Sequence, residues 1–316
     1  MFSWGRSTPE AARLVDAGIQ LDMDTLLKQA ELSEALLSLL SQGLLGPLQG
    51  HRSGPQKGSG LDFSELAHYQ PGDDVRHLDW KLSSRKQSPY VRHFQEEKEQ
   101  CFDIVVDQRI DMLFGSQGES KAVVAARLAA QIGWRAIQQG DPCACSVVSV
   151  SGVYRGTSSR RLNHWFDSLA VLLEKNQQLQ VSAEPQAESF CQCLEEMVQS
   201  RYRGHHVYLI GDFSGLEYPE LRNECLQLLS ALARHNSVRL LFVFDELEYR
   251  FPSLGFLPIS DGVHHAEMNS SAPDLAPALK EAFDQRLKPL QQLAMDEPNI
   301  QLLAFDGFMR HREDLL

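Results

Sequence analysis

Four short apolar segments, each with an acidic residue at its end, dominate the pattern of the chain from residue 100 onward. They cover residues 101–107, 205–212, 237–246 and 299–307, and the acids are Asp107, Asp212, Asp245 and Asp306. Such near-continuous apolar segments are typical of strands buried on both faces of a parallel sheet. Between them, apolar residues recur every three or four positions, which predicts helices over 120–139, 161–175, 187–202, 217–235 and 275–294.

Strands that alternate with helices of this length predict an α/β fold with a mostly parallel central sheet flanked by helices. Residues 143–150 are β-branched and predict a further strand, with a short partner after the Ser151-Gly152 turn. Earlier in the chain the pattern differs: residues 9–45 have helical periodicity, 43–60 are rich in Gly and Pro, and 61–98 predict short strands and turns. We therefore expect a helical segment at 1–45, a small β/turn module at 46–99 and the α/β domain at 100–316. Residues 250–275 contain Pro and Gly and predict irregular structure.

Composition narrows the classes of protein. The 316 residues are 43% apolar and 23% charged, as in soluble globular proteins, and the formal net charge is −12. An acidic chain is a poor match for nucleic acid, so we expect no nucleic-acid partner. We also expect no membrane span and no signal peptide, hence a cytoplasmic protein whose six cysteines are reduced.

The segment YQPGDDVRHLDWKLSSR at 69–85 combines a turn with a cluster of charges. Pro71-Gly72 predicts a tight turn, and the neighbouring acids can accept hydrogen bonds from its backbone. One interpretation is a rigid, self-paired surface turn. The alternative is a metal-dependent hydrolase or nuclease that uses Asp73, Asp74, Asp79 and Lys81, although an acidic chain is poorly suited to grip phosphates.

The same segment carries a family resemblance. Residues 58–97 resemble the signature of the domain-of-unknown-function-58 family, whose members occur with MoxR-type AAA+ ATPases. The matching residues are Gly58, Gly60, Phe63, Tyr69, Pro71, Gly72, Asp73, Asp74, Arg76, Asp79, Trp80, Val91, Phe94, Glu96 and Glu97. Asp62 and Ala67-His68 depart from the pattern. The resemblance extends over about 45–310 and implies a von Willebrand factor A-like domain from about residue 100.

The resemblance also implies a metal-ion-dependent adhesion site at the end of the first strand. In A-type domains this strand ends in Asp-x-Ser-x-Ser, and a Thr and an Asp from two other loops complete the ligands of one divalent cation. Asp107 and Asp212 match the acids, and Thr157 is the candidate Thr. However, Arg109 and Asp111 stand at the two Ser positions. Arginine has no acceptor and a permanent positive charge, so it opposes a cation.

We therefore predict a degenerate site in which Arg109 pairs with Asp107 and Asp212 and replaces the cation. Two alternatives stay open: an intact Mg²⁺ or Mn²⁺ site, or a cation held by Asp111 while Arg109 turns to solvent. In either case the metal residues would be Asp107, Asp111 and Asp212. Apart from such a cation, we expect no cofactor.

The sequence has no phosphate-binding loop of Walker type, and GDFSG at 211–215 does not place Ser as in a nucleophile elbow. The predicted function is thus a non-enzymatic adaptor that partners a MoxR-type AAA+ ATPase in protein remodelling or complex maturation. Many relatives have membrane helices, so this chain would reach a membrane only indirectly.

We expect the contact surface at the crevice around Asp107, Asp111 and Asp212, where Arg109 would bind a partner's carboxylate directly. The signature residues would be mainly structural and lock the module onto the A-type domain; they are Tyr69, Pro71, Gly72, Asp73, Asp74, Arg76, Asp79 and Trp80. The client protein, the biological process and the oligomeric state do not follow from the sequence.

Overall fold

The fold was determined as a computed structural model, which describes residues 62–70, 75–95, 100–116, 118–179, 188–200, 203–260 and 265–316, together with Leu21, Met23 and Leu26. The chain forms two compact units, residues 33–99 and residues 1–32 with 100–316. Apart from Leu21, Met23 and Leu26, the predicted helix over 9–45 lies outside the described residues, and so does the turn at 71–74.

The larger unit is built on a six-stranded sheet. Its strands are β3 (Cys101–Gln108), β4 (Cys143–Ser149), β5 (Gly152–Tyr154), β6 (His205–Gly211), β7 (Ser237–Val243) and β10 (Ile300–Phe305). Their order is β10-β7-β6-β3-β4-β5, and every pair is parallel except β4 with β5. The α/β class and the mostly parallel central sheet are confirmed, and so is the short strand after Ser151-Gly152.

Helices cover both faces of this sheet. They are α2 (Lys121–Gln138), α3 (Leu162–Gln177), α4 (Glu188–Gln199), α5 (Pro219–Ala233), the short α6 (Glu246–Tyr249) and α7 (Leu275–Asp296). One core joins α4, α5 and α7 to the strand residues of one face, such as Leu209 and Phe242. The opposite face packs against α2 and α3. Strands buried on both faces must be apolar throughout, which explains their near-continuous apolar sequences.

Gly133 permits the close contact of α2 with α3. A Cβ at this position would lie 2.1 Å from the ring of Trp165, which is buried. Any side chain larger than glycine would therefore force α3 away from α2. The glycine within a helical pattern thus reflects packing and not a break in the helix.

Two elements differ from the sequence expectations. Residues 250–275, expected to be irregular, contain the antiparallel hairpin β8 (Phe256–Ser260) and β9 (His265–Asn269). The smaller unit contains the antiparallel strands β1 (Asp62–His68) and β2 (Tyr90–Gln95), where short strands were expected, but also the helix α1 (Trp80–Lys86). The seven-residue helix was missed because it is too short to show a periodic apolar face.

The cysteines depart from the expectation that all are reduced. Cys191 on α4 and Cys225 on α5 form a disulfide with their Cα atoms 5.4 Å apart. Cys101, Cys143, Cys145 and Cys193 are thiols that take part in no disulfide. Burial raises the pKa of the Cys145 thiol to about 12 and that of Cys193 to about 11. Buried thiols of this kind are chemically inert, because the thiolate is the reactive form.

Candidate functional site

The candidate site lies at the carboxyl edge of the sheet, the edge at which the parallel strands end. Asp107 is the penultimate residue of β3, and Asp212 directly follows β6, the neighbouring strand. Both side chains are fully buried. Gly211 makes this possible, because a Cβ there would lie 2.7 Å from the Cβ of Asp107. The sequence expectation that these two acids share one edge is therefore met.

Arg109 forms a buried ion pair with Asp107. Its Nη2 lies 2.6 Å from Oδ2 of Asp107, and its Nε donates to both carboxylate oxygens at 3.0 and 3.1 Å. The backbone N–H of Arg109 also donates to Asp107, and Nη2 reaches the carbonyl oxygen of Ser214. The guanidinium lies over the ring of Phe190, 5.7 Å from its centroid. Arg109 is 1% exposed, so its guanidinium group pairs with Asp107 in the interior of the protein and is not presented to solvent.

Asp212 is paired with two other cations. Nζ of Lys121, the first residue of α2, lies 2.7 Å from Oδ2 of Asp212, and Nη1 of Arg286 on α7 lies 3.1 Å from the same atom. Glu248 on α6 accepts from both of these cations, at 3.0 and 2.8 Å. Three helices that are distant in sequence, α2, α6 and α7, thus contribute charged side chains to one network with Asp212.

These side chains form two ion-paired sets at the same edge of the sheet, Asp107 with Arg109, and Lys121 and Arg286 with Asp212 and Glu248; together they are hereafter called the ion cluster. It contains three carboxylates and three cations, so its formal charge is zero, and its members are Asp107, Arg109, Lys121, Asp212, Glu248 and Arg286. Burial of isolated charges is very costly, and mutual pairing is what makes it tolerable. The ion cluster is therefore a neutral plug at the position where the resemblance implies a metal.

The cluster changes the pKa values of its acids in opposite directions. Burial raises the pKa of Asp107 above its ordinary value despite the guanidinium of Arg109, and the charge of Asp212 adds to this. Burial also acts to raise the pKa of Asp212 and Glu248, but Lys121 and Arg286 outweigh it and lower both pKa values. Asp212 and Glu248 are thus held ionised by two cations each.

Asp111 lies at the rim of the site. It is partly exposed, and its Oδ2 accepts a hydrogen bond from the hydroxyl of Ser214 at 2.6 Å. The backbone N–H of Ser214 in turn donates to Asp212 at 2.9 Å. Ser214 therefore connects the partly exposed acid to the buried ion cluster.

Thr157 does not reach the site, and its assignment to a metal-binding loop was wrong. It is exposed and follows β5, which runs back along β4 toward the start of that strand. Gly156 donates its N–H to Ser146, and Ser159 pairs with Cys143, the first residue of β4. Asp107 instead pairs with Val148 near the end of β4. Thr157 and Asp107 thus lie toward opposite ends of the strand.

The residues present do not fit a divalent cation. Mg²⁺ requires about six oxygen ligands, yet both buried acids already bind cationic side chains, and an arginine occupies a ligand position. Among the described residues, no group of three His, Cys, Asp or Glu side chains is placed to hold a metal ion. The arrangement can hold the surrounding loops in place, but the described residues do not provide the oxygen ligands that a divalent cation requires.

Lys121, Ser214, Glu248 and Arg286 were not anticipated from the sequence. Lys121 begins an apolar helix after the N-cap Ser120, and Glu248 belongs to a capping box with Asp245. These are ordinary helix-start patterns. The one indication in the sequence was Lys121 itself, a lysine at the start of an otherwise apolar helix. A cation buried in such a turn requires an acidic partner.

The described signature residues have mixed roles. Asp79 is the N-cap of α1 and accepts from the N–H of Leu82 at 3.0 Å, a structural role. Trp80, by contrast, is 74% exposed, and its expected structural role stays a prediction. Lys81 is also exposed. Pro71, Gly72, Asp73 and Asp74 lie outside the described residues, so their proposed roles stay predictions.

Comparison with known proteins places the chain in a family. The family model described as "Protein of unknown function DUF58" matches residues 65–288, and the chain belongs to this family. The uncharacterized protein Rv1480 of Mycobacterium tuberculosis and the uncharacterized protein Mb1516 of Mycobacterium bovis are each 24% identical over 261 residues. That match covers 80% of this chain and 77% of each relative.

Two solved structures are similar at low sequence identity. The conserved hypothetical protein BatB from Bacteroides thetaiotaomicron is 12% identical, with a TM-score of 0.37 over 66% of this chain and 90% of that one. A von Willebrand factor type A structure from Catenulispora acidiphila is 12% identical, with a TM-score of 0.29 over 63% of this chain and 44% of that one. None of the helices among the described residues has the length and apolar character needed to cross a bilayer.

Proposed function

We propose that this protein is a non-enzymatic protein-interaction adaptor, whose partner is a MoxR-type AAA+ ATPase acting in protein remodelling or complex maturation. Membership of the family supports the choice of partner. The ion cluster supports the non-enzymatic role. Ligands of α/β sheets bind at the carboxyl edge, but the buried acids there are already paired with cationic side chains of the same chain. Side chains buried and paired in this way are almost inaccessible to a substrate.

The cluster represents a degenerate metal-ion-dependent adhesion site, in which cationic side chains of the chain itself pair with the acids. Direct capture of a partner's carboxylate by Arg109 is not compatible with the geometry, because the guanidinium is 1% exposed and its donors face Asp107 and Ser214. Recognition must therefore use the side chains that the loops present around the plug. The cluster itself would hold those loops in a fixed arrangement.

Exposed apolar side chains follow several strands at the carboxyl edge. Phe114 follows β3 and is 43% exposed, Tyr218 follows β6 and is 56% exposed, and Phe308 follows β10 and is 52% exposed. Aromatic residues are enriched in protein interfaces, because they bury a large area at low conformational cost. We propose that these three residues, with Asp111, form the contact surface for the ATPase.

The test is binding of the purified full chain to the MoxR-type ATPase of the same organism, measured by titration calorimetry with and without ATP. We expect binding that Phe308→Ala and Tyr218→Ala each weaken about tenfold or more. Met295→Ala is the matched control. Met295 is 74% exposed and lies at the C-terminal end of α7, next to the start of β10 and thus away from the carboxyl edge of the sheet. Absence of binding in every nucleotide state would refute the proposed partner.

A chelator distinguishes the plug from a working metal site. Because Arg109 and Lys121 provide the positive charge, we expect EDTA to leave the affinity for the ATPase unchanged in a nucleotide-free titration, and we expect no heat of binding for Mg²⁺ or Mn²⁺ to the chain alone. Loss of binding in EDTA, restored by either ion, would show that the site is a metal site after all.

A further inference from the structure

Two leucines near the N-terminus are anchored in the larger unit. Leu21 and Leu26 are each 2% exposed, although the smaller unit separates them in sequence from the rest of the larger unit. The backbone N–H of Leu21 donates to Oδ1 of Asn176 at 3.2 Å, and Asn176 lies in the last turn of α3. One buried hydrogen bond thus joins residues that are 155 positions apart.

A series of hydrogen bonds continues from Asn176 to the end of β3. Nδ2 of Asn176 donates to Oε1 of Gln108 at 2.9 Å, and Nε2 of Gln108 donates to the carbonyl oxygen of Ala122 at 2.9 Å. Both side-chain amides are buried. The four residues joined in this way, Leu21, Asn176, Gln108 and Ala122, are hereafter called the amide relay.

The two ends of the amide relay fix the orientation of its side chains. A backbone N–H can only donate and a backbone carbonyl can only accept, so Leu21 requires the oxygen of Asn176, and Ala122 requires the nitrogen of Gln108. The remaining nitrogen of Asn176 and oxygen of Gln108 then meet as donor and acceptor. Loss of one member would leave a buried polar group without that partner, which is costly in an interior. The four residues therefore depend on one another.

The amide relay ends beside members of the ion cluster. Gln108, the last residue of β3, lies between Asp107 and Arg109 in sequence, and Ala122 directly follows Lys121 at the start of α2. The relay therefore holds the two backbone positions next to which these cluster residues stand. Because a close-packed interior transmits displacements, a change in the relay reaches the carboxyl edge.

The loop at 109–120 carries part of the proposed contact surface. It contains Asp111 and Phe114, and it connects the end of β3 to the start of α2. The N–H of Ser116, in the middle of the loop, donates to Asp245 at the end of β7 at 2.7 Å. The amide relay holds the residues that flank the two ends of this loop, so its integrity affects how Asp111 and Phe114 are presented.

We propose that Gln108 and Asn176 are positioning residues that couple the buried residues Leu21 and Leu26 to the loop at 109–120, so that displacement of these leucines loosens the contact surface at the carboxyl edge. The effect on binding rests on the proposed function, whereas the coupling itself does not. A molecule that removed the two leucines from their buried positions would weaken binding of the ATPase. By linkage, bound ATPase would hold the leucines in place.

Hydrogen exchange of the full chain, followed by mass spectrometry, tests the coupling. We expect Asn176→Leu, Gln108→Met and Leu26→Ala each to speed exchange of the amides at 109–116 about tenfold or more, while the amides of β7 stay protected. Leu26→Ala removes no member of the amide relay, so an effect at 109–116 must come from displacement of the N-terminal anchor. Leu26→Val, a smaller change, should give a smaller rise in the same place.

Ser168→Ala on α3 is the matched control. The hydroxyl of Ser168 is part of a buried side chain and donates to the carbonyl of His164 within the same helix, outside the amide relay, so its loss should leave exchange at 109–116 unchanged. The double variant Leu26→Ala, Asn176→Leu should exchange no faster there than the faster single variant, because both changes interrupt one path. An equal rise in β7 and at 109–116, or no rise at 109–116 in Leu26→Ala, would overturn the coupling.

Titration of the ATPase tests the consequence for binding. Asn176→Leu should weaken the affinity about fivefold or more relative to wild type and to Ser168→Ala. An unchanged affinity despite faster exchange would overturn the effect on the contact surface. If wild type binds no ATPase, the proposed function fails, and the exchange measurements still decide whether the coupling exists.

Discussion

At the scale of single residues, one arginine determines the chemistry of the carboxyl edge. Arg109 stands where the A-type pattern has a hydroxyl ligand, and its guanidinium binds the carboxylate of Asp107 through three short contacts. Neither member is exposed, so each depends on the other for charge compensation. The pair therefore forms a permanent internal contact at the carboxyl edge.

A double-mutant cycle tests this dependence. We expect Asp107→Ala to lower the free energy of unfolding by about 3–5 kcal/mol, because it leaves a buried cation without its partner. Arg109→Met should cost a similar amount. The double variant should lose much less than the sum of the two, since both buried charges are then absent. The measurement is chemical denaturation followed by circular dichroism.

The exposed pair Lys288–Asp284 on α7 provides the control for this cycle. An exposed pair one helical turn apart is expected to contribute only about 0.3–0.5 kcal/mol. Additive losses at Asp107 and Arg109, as small as those of the control pair, would show that the buried pair has no special role.

At the scale of elements, the site depends on which helices are held against the sheet. Phe190 on α4 lies beneath the guanidinium of Arg109 and packs edge-on against Phe213, directly after Asp212. The disulfide of Cys191, the next residue, fastens α4 to α5. A covalent link between two helices that cover the site stabilises the native state chiefly by restricting the unfolded chain.

Thiol titration tests this link. In protein purified without reductant and then denatured, we expect four reactive thiols by Ellman's reagent, and six after reduction. Reduction should lower the free energy of unfolding by about 2–4 kcal/mol, the range for a loop of this length. Cys193→Ser should leave a disulfide intact and reduce the first count to three. Six thiols before reduction would restore the expectation of a fully reduced protein.

At the scale of the whole molecule, the net negative charge of the chain lies outside the ion cluster, which is itself neutral. The chain carries a net charge of −12, yet the ion cluster is neutral because its carboxylates and cations are equal in number. The excess acid therefore lies elsewhere on the protein. Its stability at low pH depends in part on Asp212 and Glu248, since both lose specific cationic partners on protonation.

The stability of the protein should fall as the pH falls below about 4.5. The pKa values of Asp212 and Glu248 are lowered in the folded state from ordinary values of 3.8 and 4.5, so their stabilisation is complete above those values and is lost below them. We expect a loss on the order of 1–3 kcal/mol between pH 5 and pH 2. The pKa of Asp107 is raised in the folded state, so this residue makes the protein less stable as the pH rises above its ordinary pKa of 3.8. Its effect is therefore opposite in sign to that of Asp212 and Glu248.

Urea denaturation at a series of pH values measures this slope. Glu248→Gln should make the acid slope shallower, because one of the buried acids with a lowered pKa no longer titrates. Glu281→Gln, on the exposed side of α7, is the control and should leave the slope unchanged. A stability that is constant or rises from pH 4 to pH 2 would contradict the assignment of Asp212 and Glu248 as ionised, paired acids.

The sequence by itself determined the α/β class and most elements of the sheet, because buried parallel strands must be apolar throughout and amphipathic helices must repeat every three or four residues. It also placed Asp107, Arg109, Asp111 and Asp212 at one edge, since the carboxyl ends of parallel strands coincide. It missed α1 and the β8–β9 hairpin, whose short lengths give too few residues for a period.

Only the tertiary structure decided what the site is. The contacts of Lys121 and Arg286 with Asp212 and Glu248 join residues 38 to 127 positions apart, and no local pattern encodes which distant cation will meet which acid. Strand direction likewise excluded Thr157, because β5 carries the chain away from the carboxyl edge. Periodicity reports which face of an element is buried, whereas the pairing of buried charges depends on how the elements pack together.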